Sequence, residues 1–222
     1  TNSTAGHHIF RSYNTEIMRI DGGNNLVGIG TQSPSSYNSY ANNLVVYEAG
    51  HGGITIATGT SNHGSLYFAD GTSGAEAYAG YLDYDHSDGT LDIGTGGSHS
   101  VTIDISNNVG IGVIPQSNWH VNFDALQLGE QTMLYAHADG IGNDSATYLG
   151  TNVYENSGAK YLRTDKSSLY RQQSGKHDFY VAPSGAAGSA ISWNNAMTID
   201  NSGNVGIGTT VPDAKIDIED TL

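Results

Sequence analysis

Cysteine is absent from the 222 residues. That excludes a disulfide scaffold, a CxxC zinc site and a thiol nucleophile. Cations are nearly as scarce: eight Lys and Arg stand against 22 Asp and Glu, a net charge of −14. None of the eight lies between Arg19 and Lys160, although fourteen acids do. Those acids lack local Lys or Arg partners, so they are expected to be hydrated, to cap turns or to bind a metal. A polyanionic partner would be repelled, because nucleic-acid affinity comes from cations neutralising phosphates. No stretch approaches eighteen continuous apolar residues, so no transmembrane helix is expected. Thr1 to Phe10 lacks the charged-then-apolar layout of an export signal. Glycine is abundant, at 30 residues, but has no three-residue period, which excludes collagen. No GxSxG elbow, Walker A loop, GxGxxG or HExxH occurs, and Gly94-Thr-Gly-Gly97 reads as a turn because no helix follows it.

What is present is an internal repeat. Met18-Arg-Ile-Asp21 precedes Leu26-Val-Gly-Ile-Gly-Thr31 and Pro34. Val101-Thr-Ile-Asp104 precedes Asn108-Val-Gly-Ile-Gly112 and Pro115, and Met197-Thr-Ile-Asp200 precedes Asn204-Val-Gly-Ile-Gly-Thr209 and Pro212. The equivalent glycines Gly28, Gly110 and Gly206 are 82 and 96 residues apart. A short pattern follows each proline: Leu44-Val-Val46 with Glu48, Leu126-Gln-Leu128 with Glu130, and Ile216-Asp-Ile218 with Asp220. The repeat divides the chain into the end of one unit (1–34), two whole units (35–115 and 116–212) and the start of another (213–222).

Alternation at period two marks strands at Gly53–Ala57, Ser65–Phe68, Ala77–Tyr84, Val101–Asp104 and Leu162–Arg171. Turn signals lie between them at Asp70-Gly71, Asp88-Gly89, Gly96-Gly97, Asn107-Asn108, Ser174-Gly175 and Ser202-Gly203. Ala186 to Ala196, interrupted by Gly188, reads as loop into strand. The expected fold class is all-β: an elongated repeat array of antiparallel β units, intertwined or stacked in a homotrimeric fibre. In each repeat the valine and isoleucine line one strand face and the glycines the other. Glycine inside a strand marks a bend, a bulge or the close approach of another backbone. The segments Val27-Gly28-Ile29-Gly30, Val109-Gly110-Ile111-Gly112 and Val205-Gly206-Ile207-Gly208 are therefore candidates for packing along a trimer axis, with a bend inside each unit as the alternative. Thin sheets of short strands bury one face poorly and leave edges bare, which also favours assembly.

The repeat, at its fullest from Met197 to Pro212, resembles one found in tail fibres and tail-associated fibrous proteins of tailed bacteriophages. There it often lies upstream of a self-cleaving intramolecular chaperone of the endosialidase type (peptidase S74). Lys215-Ile-Asp-Ile-Glu-Asp220 fits that setting, whereas Val113-Ile114 departs from the usual Thr and polar residue. The resemblance rests on about fifteen residues in each of three copies plus the short patterns. It implies a homotrimeric, elongated β shaft in a virion, outside the host cell, contributing to host attachment and contacting neighbouring fibre or baseplate proteins.

Two candidate sites emerge from the residues. Asp83, Asp85, Asp88 and Asp92 cluster without a cation, the composition of a Ca²⁺ loop, although EF-hand spacing fails and a hairpin with solvated acids explains the run as well. Lys160, Tyr161, Arg163, Tyr170 and Arg171 combine charge with aromatic faces, as contact with an anionic glycan or other receptor would need. An exposed hairpin paired with acids is the plainer alternative. None of the nine histidines shows paired ligand spacing; a trimer axis could stack His99 or His137, but nothing in the sequence selects either. Trp119 and Trp193 follow turns and read as packing anchors. No catalytic residue is identified, no cofactor beyond a candidate Ca²⁺ is expected, and neither nucleic acid nor membrane insertion is expected. Three functions follow: a structural and adhesive fibre segment, a tailspike-like polysaccharide depolymerase, and a Ca²⁺-dependent bacterial surface adhesin. The first is favoured, because near-equivalent repeats leave little place for a catalytic groove.

Overall fold

The computed structural model describes residues 2–4, 6–137 and 146–219; Asp220, which closes the third short pattern, lies outside them. The chain is all-β, with helix restricted to 3-10 turns at Pro34–Ser36 and Gly74–Tyr78 among the described residues. It divides into two compact units, Thr1–Ala57 and Thr58–Leu222.

The first unit is one five-stranded sheet in chain order: β1 (Asn2–Thr4), β2 (His7–Ser12), β3 (Thr15–Asp21), β4 (Leu26–Ile29) and β5 (Leu44–Val46). The second unit supplies β6 (His63–Phe68), β7 (Gly80–Asp85), β8 (Thr90–Thr95), β9 (Ser98–Ile103), β10 (Val109–Ile111), β11 (Phe123–Leu128), β12 (Thr132–His137) and β13 (Ala146–Thr151). It continues with β14 (Val153–Glu155), β15 (Ala159–Tyr161), β16 (Asp165–Gln173), β17 (Lys176–Gly185), β18 (Asn194–Ile199), β19 (Val205–Ile207) and β20 (Ile216–Ile218). Thirteen of these strands form a single sheet from β6 to β20 in chain order, from which only β14 and β15 are set aside as a hairpin of their own.

Most neighbours are antiparallel and joined by tight turns. The β8–β9 and β16–β17 loops are two residues long, with both central residues at positive φ: Gly96 at 60° and Gly97 at 74°, Ser174 at 52° and Gly175 at 76°. This is the turn geometry whose twist matches the flanking strands.

The antiparallel expectation fails at three places, all within the repeat. There β4 pairs with β5, β10 with β11 and β19 with β20 in parallel. The registers coincide: Met18, Val101 and Met197 oppose Ile29, Ile111 and Ile207, which in turn lie beside Val46, Leu128 and Ile218. Parallel neighbours normally need a crossover of a dozen residues or more, usually helical. Here the connections, residues 30–43, 112–122 and 208–215, carry no α-helix and each opens on a glycine. Gly30, Gly112 and Gly208 adopt φ of 73°, 68° and 76°, so the chain turns out of the strand at each. It then folds back over the preceding glycine. A Cβ on Gly28, Gly110 or Gly206 would lie 2.8, 2.1 or 2.5 Å from the carbonyl oxygen of Thr31, Val113 or Thr209. The close approach that the glycines signal is thus made by the chain's own backbone.

Each repeat also carries a locked turn. Asp200 Oδ1 accepts from the backbone N–H groups of Ser202 and Asn204, and Oδ2 from the Asn204 side chain. Asp104 makes the same bonds to Ser106 and Asn108, and Asp21 to Gly23 and Asn24. Backbone donors of Asn204 hold the Asp200 carboxyl below the ordinary range, and the Asn24 side chain does the same for Asp21.

One expected strand is absent and another begins late. Gly53–Ala57 forms none: Ile54 and Ile56 are exposed and no neighbouring strand bonds to that stretch. Ala77 and Tyr78 close a 3-10 turn, and the strand begins only at Gly80. Ala186 to Ile191 is loop and bridge leading to β18, as expected.

The core lies on one face of the large sheet. Met133, Tyr135, Ala125 and Leu169 pack there under Trp119, Val153 and Tyr154. Residues 152–164, leaving the sheet between β13 and β16, form part of this roof. Fully buried Asn152 anchors them, its amide donating to the carbonyls of Arg163 and Lys166 and its oxygen accepting from Arg163 N. Trp119 stands 4.9 Å from Tyr135, which stacks on Tyr148 at 4.6 Å. Both tryptophans are packing residues, Trp193 lying against the rim of this core.

Candidate functional site

The four aspartates proposed as metal ligands do not converge. Asp85 Oδ1 accepts from the backbone and hydroxyl of Ser87, and Asp88 Oδ1 from those of Thr90. These carboxylates fasten the β7–β8 turn. Asp92 is buried, accepting from Thr102 Oγ1 with His99 Nδ1 at 3.0 Å. Asp83 accepts from Ser65 Oγ and from His63 Nδ1, the latter at 2.7 Å. Each is satisfied by protein donors, and among the described residues no three His, Asp or Glu side chains gather as a metal set.

The cationic-aromatic candidates are also dispersed. Tyr161 is buried, and its hydroxyl donates to the Pro183 carbonyl at 2.6 Å. Arg163 is exposed and paired with Glu130 at 3.0 Å. Tyr170 and Arg171 are consecutive on β16 and so face opposite sides of the sheet. Tyr170 Oη is 2.5 Å from His177 Nδ1. Arg171 is half-buried over the Tyr180 ring at 5.1 Å and pairs with Asp178 at 2.8 Å. Burial raises the Asp178 carboxyl, but Arg171, Thr198 and Asn195 outweigh it and hold the group below its usual range. Lys160 lies on β15, away from the large sheet's strands.

The repeat segments define a surface rather than a pocket. Ile29, Ile111 and Ile207 stand on the open face of their sheets. In the large sheet, paired positions continue that face from strand to strand. Leu66, Leu82, Ile93, Val101, Ile111 and Leu128 form one cross-strand row. Leu126, Leu134, Leu149, Tyr170, Phe179, Met197 and Ile207 form the next. From Leu66 to Ile207, the leucines, isoleucines and phenylalanine that are exposed along these rows show 39–51 % of their surface to solvent. The opposite face holds the core and the polar pairs Asp92–Thr102 and Asp178–Thr198. A sheet normally turns its apolar side inward; here a second apolar side is left bare.

On the roofed face, but beyond the roof, β6 to β9 and the Gly74–Tyr78 turn enclose a cavity of about 300 Å³ lined by His63, Tyr67, Tyr78, Tyr81, Asp83, Gly97 and His99. The ring centres of Tyr67, Tyr78 and Tyr81 are 6.1–6.4 Å apart, and His99 stands edge-on to Tyr81 at 6.0 Å. Glycine makes the space: a Cβ on Gly94 would lie 1.9 Å from the Tyr81 ring. Asp83 holds the His63 imidazole above its ordinary pKa by accepting its hydrogen bond. Sequence reasoning missed this group. Its only signal is the alternation His63-x-Ser65-x-Tyr67 against Tyr81-x-Asp83 in adjoining strands.

Comparison with known proteins adds no relative to this chain: no family model matches it, and no curated protein does.

Proposed function

We propose that the chain is a shaft segment of a fibrous virion appendage, such as a bacteriophage tail fibre, that works as a homotrimer and supports attachment to a host receptor. The observation that carries this reading is the bare apolar face. The chain exposes 13822 Å², whereas globular chains of this size expose on the order of 10,000 Å², or about 11,000 Å² with the two units counted as separate globules. The surplus, roughly 2,000 Å² or more, is of the size that permanent assemblies bury. Apolar rows of this extent mark association surfaces. A second copy of the same face is the natural cover, since its two apolar rows cross the sheet between polar positions such as Thr132, Thr147, Thr151 and Gln172. The number three comes from the resemblance of the repeat. The role is mechanical and adhesive, without catalysis.

Light scattering on the purified chain tests the assembly: three chain masses are expected, with elongated particles in electron micrographs. A single chain mass would overturn it. Leu134→Asp, which places a charge amid the bare face, is expected to lower the mass while circular dichroism stays β-rich.

A further inference from the structure

We infer that the cavity between β6 and β9 is a binding site for a neutral saccharide, with Tyr67 and Tyr78 as the stacking surfaces and Asp83 as the acceptor for ring hydroxyls. This extends the attachment reading, since it supplies that reading with a ligand class and a place.

The charge comes first. Strands β6 to β9 carry no Lys or Arg, and Asp83, Asp85 and Asp92 lie among them. Phosphorylated, sulfated or carboxylated ligands would meet net repulsion, as histidine alone offers positive charge there and His63 and His99 already face Asp83 and Asp92. An organic cation fits no better. The three tyrosine rings pack against one another with centres 6.1–6.4 Å apart, so no ammonium group can enter between them. The Asp83 charge is already faced by the His63 imidazole at 2.7 Å.

What remains is a ligand with one apolar face and several hydroxyls. Tyr67 is 53 % exposed and Tyr78 38 %, leaving ring surface for the C–H face of a sugar. Asp83 is held by Ser65 and His63. A carboxylate has about four acceptor positions, so capacity remains after those two bonds. The site is also preorganised: Tyr81 is buried over Gly94 and braced by His99, and the ordering cost of binding is correspondingly small. The cavity volume sits at the lower end for small-molecule sites, and the pocket opens on the face opposite the bare apolar rows. Covering those rows with other copies would leave it accessible.

Saturation-transfer NMR and calorimetry with methyl glucoside, methyl galactoside and N-acetylglucosamine test the assignment on the intact chain. At least one is expected to bind with a Kd on the order of 1 mM. Tyr67→Ala and Asp83→Asn are each expected to weaken that binding by at least about tenfold, and Tyr40→Ala, at a residue 97 % exposed in the first unit, to leave it unchanged. Melting curves for each variant separate loss of the site from loss of the fold. Absence of binding by all three sugars overturns the inference. So does binding that survives both site variants, or tighter binding of tetramethylammonium than of any sugar. Any of these results leaves the chain mass in solution untouched, so this inference and the assembly reading fail separately.

Discussion

The same sheet face is closed over in one half and open in the other. Across β11 to β18, Trp119 and the 152–164 excursion close over the strands, and Met133, Tyr135 and Val153 lose nearly all contact with solvent. Across β6 to β9 the one long connection, residues 69–79 between β6 and β7, closes as the Gly74–Tyr78 turn beside Gly97 and brings Tyr78 against Tyr67 and Tyr81. The β8–β9 connection is two residues and the β7–β8 connection four, too short to reach back over the strands. Tyr67 and Tyr78 therefore stay partly exposed beside a buried Tyr81. Strands β6 to β9 and β11 to β13 are each six residues long. What a connection lays over the strands, Val153 and Tyr154 in one half and a single turn carrying Tyr78 in the other, decides which half is core and which is site.

Removing the roof's main contact tests this most severely. Met133→Ala empties a fully buried position, and a loss of about 2–5 kcal/mol in denaturant unfolding is expected. If the two halves differ as described, the Tyr67–Tyr78–Tyr81 group keeps its ring-current shifts below the transition. Gly110→Val comes next. Its side chain would run into the Val113 carbonyl, and a loss of about 2–3 kcal/mol is expected from the strained crossover. Gly129→Val, at a φ of 60° but with open space around it, isolates the dihedral cost from the collision.

A pH series sharpens the comparison further. Glu155, a residue of the roof beside Tyr135, is pushed up to about 7 by burial, with Tyr135 pulling the other way. The Tyr135 hydroxyl itself forms no well-aligned hydrogen bond. A folded pKa above the unfolded one favours the protonated form, so this stabilisation is complete below about 4.3 and fades as pH rises through about 7. Glu155→Gln is expected to remove that slope and to melt higher than the parent above neutrality. The smallest effect belongs to the open half: Tyr67→Ala should change stability by no more than about 0.5 kcal/mol, as exposed substitutions do.

Local chemistry made part of this legible in the sequence. Gly96-Gly97 and Ser174-Gly175 are turns because positive φ selects glycine and small polar residues, and that constraint is readable in a few letters. The Asp-to-Asn locks are equally local. Pairing between distant strands is not. The alternation at Ile54 and Ile56 predicted a strand, but a strand exists only where a partner accepts its hydrogen bonds. The repeat glycines were recognised as marking a close approach, yet the approaching backbone lies three residues on in the same chain. Parallel pairing went unread because a crossover without a helix leaves no periodicity. The candidate ligands scattered for a similar reason. Tyr161 lies flat over Gly185, where a Cβ would sit 2.1 Å from its ring, and neither residue betrays the other in sequence. Tyr81 over Gly94 is the same device, and it escaped notice in the same way.

The crossover motif holds its own scaffolding. Its hairpin bonds, locked aspartate and glycine exit all lie within some fifteen residues, and Gly30, Gly112 and Gly208 donate in turn to Ile17, Ser100 and Ala196 at equivalent points. Such a cassette is expected to be interchangeable. Transplanting residues 194–212 in place of 98–115 would preserve the incoming direction, the outgoing direction and the offset between them. Connections elsewhere can then lengthen into roofs or shrink to expose pockets without disturbing how successive segments are joined.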